Sequence, residues 1–241
     1  MPRPALLAAG ERVYAVGDIH GRLDLFDGLV AQIEADNAAR GKANVGVILL
    51  GDLVDRGPDS RAMIERAMGW DERFASLEVL LGNHEASMLA ACRGDTRWTS
   101  NWLTYGGRET LLSYGVPPGL IAIGSDEELA AAARAYIPQS HRDWLDARPL
   151  SVVIGDYWFV HAGIRPGTPL EEQETRDLLW IRDEFLDNDA DHGGVVVHGH
   201  SISEEVEERP NRIGLDTGAY ASGRLTALGL EGEERWYLQT Q

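Results

Sequence analysis

The sequence predicts an α/β fold, and three observations lead to that prediction. Short apolar runs rich in β-branched residues alternate with longer segments whose apolar positions recur every three or four residues. Hydrophobic residues make up 44% of the 241 positions, which is ample for a large core. No proline-, glycine- or serine-rich linker divides the sequence. We therefore expect a single domain, residues 1–241, in which strands and helices alternate.

The predicted elements follow in order along the chain. Strands are predicted over residues 13–16, 45–50 and 77–81, with helices over residues 23–40 and 61–68, giving a β-α-β-α-β start. Helical patterns over residues 96–114 and 126–148 indicate a helical cap or side region at about residues 96–148. Gly155-Asp156 predicts a hairpin between strands at 150–154 and 157–161. Later strands are expected at residues 195–198, 212–215, 225–230 and 236–238.

Five short segments contain most of the functional information. They are Gly17-Asp18-Ile19-His20-Gly21, Gly51-Asp52-Leu53-Val54-Asp55-Arg56-Gly57, Gly82-Asn83-His84-Glu85, His161-Ala162-Gly163 and Gly199-His200. Asp, Asn and neutral His supply the oxygen and nitrogen donors that hard and borderline divalent cations prefer. The first three segments directly follow predicted strands, and ligands of open α/β sheets bind at the carboxyl ends of strands. Together the segments indicate a binuclear metal site.

In order and spacing, these segments resemble those of the metallophosphoesterases, and within them the phosphoprotein phosphatase family, especially its small bacterial and phage members. The resemblance covers most of the chain and implies a four-layer α/β/β/α sandwich of two mixed sheets with helices outside. It also implies the metal ligands: Asp18 and His20 for one ion, Asn83, His161 and His200 for the other, and Asp52 as a bridge. A bridging carboxylate is expected because it offsets the repulsion between two dications about 3.5–4 Å apart.

The resemblance further implies a reaction in which a hydroxide shared by the two ions attacks phosphorus in line with the leaving group, without a phosphoenzyme. His84 is then the expected general acid, oriented by Asp55. Arg56, Asn83 and Arg182 are expected to bind the substrate phosphate, because a guanidinium fork matches two phosphoryl oxygens. Two divalent ions are the implied cofactors. Manganese is the expected metal, with iron, zinc and cobalt as alternatives that ligand identity alone does not separate.

Four further residues have a structural alternative that we favour. His198 lies on the same strand face as the last predicted ligand, but the family pattern uses only the histidine after the glycine, so a structural role is expected. Asp216, in a segment similar to one near the family's site, is expected to form a turn. His141 and His192 are expected on exposed loops or helices.

The charge balance argues against a nucleic-acid partner, because 39 acidic residues against 22 basic ones leave a formal charge of −17. The acidic run at residues 204–208 is expected to be a solvated face.

The apolar stretch at residues 5–10 is interpreted as a flexible tail rather than a signal segment. Cys92 alone excludes an internal disulfide, and no apolar run approaches about 18 residues. We expect a cytoplasmic protein without membrane insertion.

The leading hypothesis is a metal-dependent phosphomonoester hydrolase whose substrate is a phosphoprotein or phosphopeptide, with small phosphate esters accepted in vitro. Phosphoserine and phosphothreonine come first, and phosphotyrosine stays possible. Glu85, the Asp55-Arg56 pair and the isoleucine at position 202 favour this branch, because related enzymes commonly differ at these positions. The alternative is a symmetrical dinucleoside tetraphosphatase that hydrolyses diadenosine tetraphosphate. A noncatalytic binding protein is a third possibility, which the complete ligand set disfavours.

Overall fold

The computed structural model describes residues 5–71 and 74–240, in which ten strands form two five-stranded sheets. The strands are β1 (Glu11–Val16), β2 (Asn44–Leu49), β3 (Ser76–Val79), β4 (Ser151–Ile154), β5 (Tyr157–Val160), β6 (Val195–His198), β7 (Glu207–Glu208), β8 (Arg212–Gly214), β9 (Thr226–Glu231) and β10 (Glu234–Gln239). The first sheet has the order β10-β9-β1-β2-β3, and the second has the order β4-β5-β6-β8-β7. Both are mixed: β1, β2 and β3 run parallel, as do β5, β6 and β8, and the outer neighbours pair antiparallel.

The two sheets pack face to face, and helices cover their outer faces. Because side chains alternate along a strand, Val13 of β1 is buried between the sheets, whereas Tyr14 packs on the opposite side against helix α1 (Leu23–Arg40) and α2 (Ser60–Met68). Helices α9 (Thr175–Trp180) and α10 (Asp183–Leu186) pack on the outer face of the second sheet, where Phe185 is fully buried. The α/β/β/α sandwich that the resemblance implied is confirmed.

A group of helices occupies the region predicted as a cap or side wall. They are α3 (Asn83–Cys92), α4 (Thr96–Trp102), α5 (Arg108–Ser113), α6 (Pro118–Ile123), α7 (Asp126–Tyr136) and α8 (Gln139–Asp146). The expected continuous helix over 96–114 is kinked at Leu103–Gly107, where Gly106 adopts a φ of 118°. The second predicted stretch breaks at Pro138, whose ring cannot continue a helix from the preceding turn. A last short helix, α11 (Ala219–Ser222), follows β8, and a 3₁₀ turn lies at Leu170–Glu172.

The expectation that residues 5–10 form a flexible tail is wrong. Residues 5–10 are not a free tail: Leu7 is 1% exposed, its backbone N–H donates to the Gly232 carbonyl at 3.0 Å, and it joins the core between the sheets. Residues 1–4 lie outside the described chain. The acidic run at 204–208 is largely solvated, as expected: Glu204, Glu205 and Glu208 are exposed, while Glu207 of β7 accepts two hydrogen bonds from buried Arg212. In the described ranges, no helix has both the length and the hydropathy needed to cross a bilayer.

Candidate active site

The six predicted metal ligands converge because each lies just beyond the carboxyl end of a strand. Asp18 and His20 follow β1, Asp52 follows β2, and Asn83 follows β3 as the first residue of α3. The two remaining histidines follow β5 and β6 of the second sheet. Parallel neighbours end at the same edge of a sheet, and the packing of the two sheets brings both edges together. The loops are tied directly, since the Asp52 carbonyl accepts from the backbone N–H groups of Ile19 (3.1 Å) and His20 (2.8 Å).

The backbone of the site is strained. Among the described residues, five that are not glycine have a left-handed conformation, and all five were predicted to function here: His20 (φ 48°), Asp52 (51°), Asp55 (75°), Arg56 (68°) and His200 (64°). Such a conformation costs on the order of 1–3 kcal/mol for a residue with a Cβ and persists only where the surroundings hold it. The strain is therefore concentrated in the loops that aim these side chains inward.

One group of possible donors contains His20, Asp52 and His84, whose ligand atoms lie within 4.8 Å of one another. His20 Nδ1 lies 2.8 Å from the Val54 carbonyl and donates to it, so its Nε2 carries a lone pair toward Asp52 Oδ2, 3.6 Å away. Burial lowers the pKa of His20 to about 3, which keeps the ring neutral as a metal ligand must be. This geometry fits a cation held between an imidazole and a carboxylate.

A second group contains Asp52, His161 and His200, with Asn83 among them. His161 Nδ1 donates to the Leu50 carbonyl at 2.8 Å, so its Nε2 is unprotonated, yet Nε2 lies only 2.7 Å from Asn83 Oδ1. His200 Nδ1 lies 2.9 Å from the same oxygen. Two imidazole nitrogens and a carboxamide thus converge on one point, and burial lowers the pKa of His161, which keeps its ring neutral as a metal ligand must be. The donor set thus fits a second cation, with Asp52 common to both groups.

Asp18 lines the same pocket but belongs to neither compact group. Its carboxylate accepts from the His200 backbone N–H at 3.0 Å and faces the buried carboxyl of Asp216. Burial and the neighbouring charges of Asp216 and Asp52 raise the pKa of Asp18 well above its ordinary value. Asp216 does form the expected turn, since its Oδ1 accepts from the Gly218 N–H at 3.0 Å, but it is also 2% exposed and part of the site. Nearby positive charge would stabilise both carboxylates.

The predicted pairing of His84 with Asp55 is present in the structure. His84 Nδ1 donates to Asp55 Oδ2 at 2.7 Å, which turns Nε2 toward the pocket. Asp55 is fully buried and accepts further hydrogen bonds from Trp102 Nε1 and Thr110 Oγ1, both from the helical side region. Burial lowers the pKa of His84, but the charge of Asp52 and the hydrogen bond to Asp55 outweigh burial and raise the pKa overall. The pair can therefore hold a proton at Nε2.

Glu85 is a structural residue of the site that sequence reasoning missed. Its carboxylate is fully buried and accepts from four backbone N–H groups: Oε1 from Leu53 and Val54, and Oε2 from Asp52 and Gly82. Burial and the charge of Asp52 raise the pKa of Glu85 to about 8, whereas the four N–H donors favour its ionised form. The four contacts fix the loop that holds Asp52. The available sequence signal was a glutamate three residues after Gly82, the position from which its carboxylate can accept from the backbone N–H that precedes the helix.

The two predicted phosphate-binding arginines line one pocket of about 290 Å³ together with Asn83 and His84. Arg56 Nη1 lies 2.9 Å from His20 Nε2, and its Nη2 lies 3.1 Å from His84 Nε2. Its guanidinium is therefore the positive group that faces both histidines in this structure. Arg182 lies at the pocket rim, where its Nη1 donates to Ser201 Oγ at 3.3 Å. Both positions allow contact with an anion in the pocket.

The other histidines lie outside both donor groups. His198 is buried, its Nδ1 donates to the Gly199 carbonyl at 3.0 Å, and its ring packs edge-on against Phe185, in agreement with the expected structural role. The expectation that His141 is exposed is wrong, because it is 7% exposed and hydrogen-bonds the Tyr114 hydroxyl at 2.8 Å. His192 is half-buried.

Comparison with known proteins places these features in a family. The model of the calcineurin-like phosphoesterase family matches residues 11–225. A symmetrical bis(5'-nucleosyl)-tetraphosphatase of Acidovorax sp. (strain JS42) is 35% identical over 164 residues, covering 66% of this chain and 47% of that protein. The chain thus spans about half the length of this relative. A protein of the same name from Nitrosococcus oceani is 27% identical, with 93% of this chain and 95% of that one covered.

Three other similar proteins have different names or were found by structure. Serine/threonine-protein phosphatase 2 of Escherichia coli (strain K12) is 28% identical, covering 89% of this chain and 90% of that protein. A solved structure provisionally assigned as a diadenosine tetraphosphatase has a TM-score of 0.66 at 21% identity and covers 99% of both chains. A cold-active protein tyrosine phosphatase has a TM-score of 0.60 at 16% identity and covers 99% of this chain and 81% of that one. These two likenesses show the fold. With the family match over most of its length, the chain belongs to the calcineurin-like phosphoesterase family.

Proposed function

We propose that the protein is a metal-dependent phosphohydrolase that cleaves dinucleoside tetraphosphates symmetrically. The observation that supports this substrate most is the similarity to the Nitrosococcus oceani tetraphosphatase, which extends over 93% of this chain and 95% of that one. Several further similar proteins have the same name. This proposal reverses the order of the two enzyme hypotheses drawn from sequence, in which the protein phosphatase came first.

Six residues of the chain would bind two metal ions. Asp52 would bridge them, His20 and Asp18 would hold one, and Asn83 with His161 and His200 would hold the other. We propose manganese, with iron, zinc or cobalt as alternatives, because oxygen and nitrogen donors suit all four. When bound, such ions neutralise phosphate charge and activate a water molecule near neutral pH.

The remaining site residues would position and protonate the substrate. Arg56 and Arg182 would bind phosphoryl oxygens from two sides of the pocket. In the overall reaction water adds to a central phosphorus, the bridging P–O bond breaks, and two nucleoside diphosphates result. His84 Nε2 would donate a proton to the departing diphosphate oxygen, and Asp55 would hold the ring in the tautomer that allows the transfer.

A protein phosphatase is the second candidate. The similarity to the Escherichia coli phosphatase extends over 89% of this chain, which favours the candidate specifically. The presence of Glu85 and of the Asp55-Arg56 pair is the sequence feature that favours it. A phosphoserine leaving group is far more basic than a diphosphate oxygen, whose pKa is about 6. Hydrolysis of a phosphoserine ester would therefore depend more strongly on proton donation by His84.

The deciding experiment compares substrates on the manganese-loaded enzyme. Diadenosine tetraphosphate, a phosphoserine peptide, a phosphotyrosine peptide and p-nitrophenyl phosphate are assayed for kcat/KM, and the nucleotide products are separated. We expect ADP as the sole nucleotide product and a kcat/KM for diadenosine tetraphosphate at least about tenfold above each peptide, a difference of about 1.4 kcal/mol. A higher kcat/KM for a phosphopeptide, or ATP and AMP as products, would overturn the proposal.

A further inference from the structure

Two neighbouring tryptophans, exposed Trp98 and half-buried Trp180, extend from the surface to the second donor group. Trp98 of α4 is 37% exposed, and its ring centroid lies 5.5 Å from that of Trp180 of α9. Trp180 in turn lies edge-on to His200, with centroids 6.3 Å apart. By contrast Trp102, one helical turn after Trp98, is 1% exposed and donates to Asp55. The helix thus buries Trp102, which contacts Asp55 and contributes to the pocket lining, and leaves Trp98 exposed beside Trp180, a second residue of that lining.

Two exposed tyrosines lie beside the first donor group. Tyr220 of α11 is 37% exposed, its ring is 5.5 Å from that of His20, and the guanidinium carbon of Arg56 lies 4.7 Å from its centroid. Tyr105, in the kink after α4, is 61% exposed. Together with Arg56, these tyrosines line a second cavity of about 560 Å³ that adjoins the phosphate pocket.

The two aromatic pairs flank one pocket. Tyr105 and Trp180 both line the 290 Å³ pocket that contains Asp52 and Arg182, so each pair reaches it from its own donor group. Single exposed apolar side chains are ordinary on protein surfaces, but two aromatic rings in the lining of one charged pocket, each near a further exposed aromatic ring, indicate a ligand with flat apolar parts. The pocket supplies positive groups for phosphate, and the rings supply stacking faces.

We propose that each pair is a platform on which one nucleobase of the substrate stacks. This inference rests on the proposed function. Trp98 with Trp180 would stack one base of a dinucleoside polyphosphate, and Tyr105 with Tyr220 would stack the other. The central phosphates would then lie in the pocket between the platforms, which is the placement that symmetrical cleavage requires.

Stacking would provide binding affinity that the negative net charge of the chain opposes. A formal charge of −17 repels a polyanionic substrate at long range. Base stacking on an aromatic ring is independent of that charge and is tolerant of base identity. The platforms would therefore provide affinity and would select a substrate with a base at each end over a simple phosphate ester.

The test measures kcat/KM for diadenosine tetraphosphate and for p-nitrophenyl phosphate on the metal-loaded enzyme and its Trp98→Ala and Tyr220→Ala variants. Each variant should lower the ratio of the two kcat/KM values by about 5–150-fold, the range for one lost base stack. Tyr136→Ala, which removes a 43% exposed tyrosine of α7, is the matched control and should leave the ratio within about twofold. An equal fall for both substrates in the platform variants would overturn the inference.

A binding measurement separates this inference from the proposed function. The probe is a non-hydrolysable methylene analogue of diadenosine tetraphosphate, and tryptophan emission reports its binding. A dissociation constant at least about fivefold higher in Trp98→Ala, obtained from the remaining tryptophan emission, supports the platform even if a phosphopeptide turns out to be the better substrate. A dissociation constant that is unchanged in Trp98→Ala would overturn it even if the tetraphosphate is cleaved.

Discussion

At the scale of single residues, the environment of Asp55 explains how a histidine can serve as an acid in a buried pocket. Asp55 Oδ2 lies 2.7 Å from His84 Nδ1, and Trp102 and Thr110 also donate to the same carboxylate. These donors fix the position of the Asp55 side chain. The ring of His84 is thereby held in one orientation, with Nε2 toward the pocket.

We predict that His84→Asn lowers kcat, and that the loss is larger for substrates with a more basic leaving group. A lost general acid costs roughly 10²–10⁴ in rate. The full loss is expected for a phosphoserine peptide, and a smaller one for p-nitrophenyl phosphate or diadenosine tetraphosphate, whose leaving groups need less protonation. Stopped-time assays on each substrate measure the losses, with metal content determined in parallel. The same fold-loss for all three substrates would contradict the acid role.

At the scale of elements, helix α3 and the loop after β2 are joined through Glu85. Two loops from different strands contribute the four N–H donors, so the residue acts through backbone positions rather than through contact with substrate. A carboxamide would place an N–H₂ group against two of these donors.

We therefore predict that Glu85→Gln lowers the free energy of unfolding by roughly 1.5–3 kcal/mol, the value of hydrogen bonds to a charged group. Urea titration of the metal-free protein measures this change without interference from metal binding. Glu127→Gln, an exposed change on α7, is the control and should stay within about 0.5 kcal/mol. Equal stability of the two variants would show that the Glu85 contacts are not what holds the loop.

The kink between α4 and α5 positions Arg56. Arg56 N donates to the Gly106 carbonyl at 3.2 Å, and a Cβ added to Gly106 would lie 2.6 Å from that same nitrogen. The φ of 118° at Gly106 also excludes a side chain without strain.

Gly106→Ala should consequently displace Arg56 and raise KM for phosphate substrates by about 10–150-fold, corresponding to one lost charge-assisted hydrogen bond. Michaelis–Menten kinetics on p-nitrophenyl phosphate measures the change. Gly119→Ala is the matched control, because nothing lies within 4 Å of its added Cβ. An unchanged KM in Gly106→Ala would show that the kink does not position Arg56 for phosphate binding.

At the scale of the whole molecule, the site gathers buried acidic groups that bound cations would stabilise. Asp18, Asp52 and Asp216 are each at most 2% exposed, and burial is unfavourable for their charged forms. A ligand that binds only the folded state adds stability by mass action, about 4 kcal/mol at a thousandfold excess over its dissociation constant.

Removal of metal with a chelator should accordingly lower Tm, and added manganese should restore it. Calorimetry gives Tm, and elemental analysis gives the ion content, expected at two per chain. In Asp52→Asn the bridge loses its charge, so both the ion content and the chelator-dependent shift in Tm should fall. A wild-type Tm insensitive to chelation, or full ion content in Asp52→Asn, would contradict the binuclear site. The single-domain organisation of residues 1–241 stays a prediction.

The sequence by itself determined the α/β class, the order of most elements and the residue types of the site, because hydrophobic periodicity and strand-end glycines are local signals. The segments around Asp18 and His200 could be recognised one by one in the same way. Only the tertiary structure decided what depends on long-range packing: the tie from Glu85 to the loop of Asp52, the burial of Leu7, and the aromatic rings around the pocket. These features join side chains far apart in sequence, whose contacts are set by how two sheets and a kinked helix pack together.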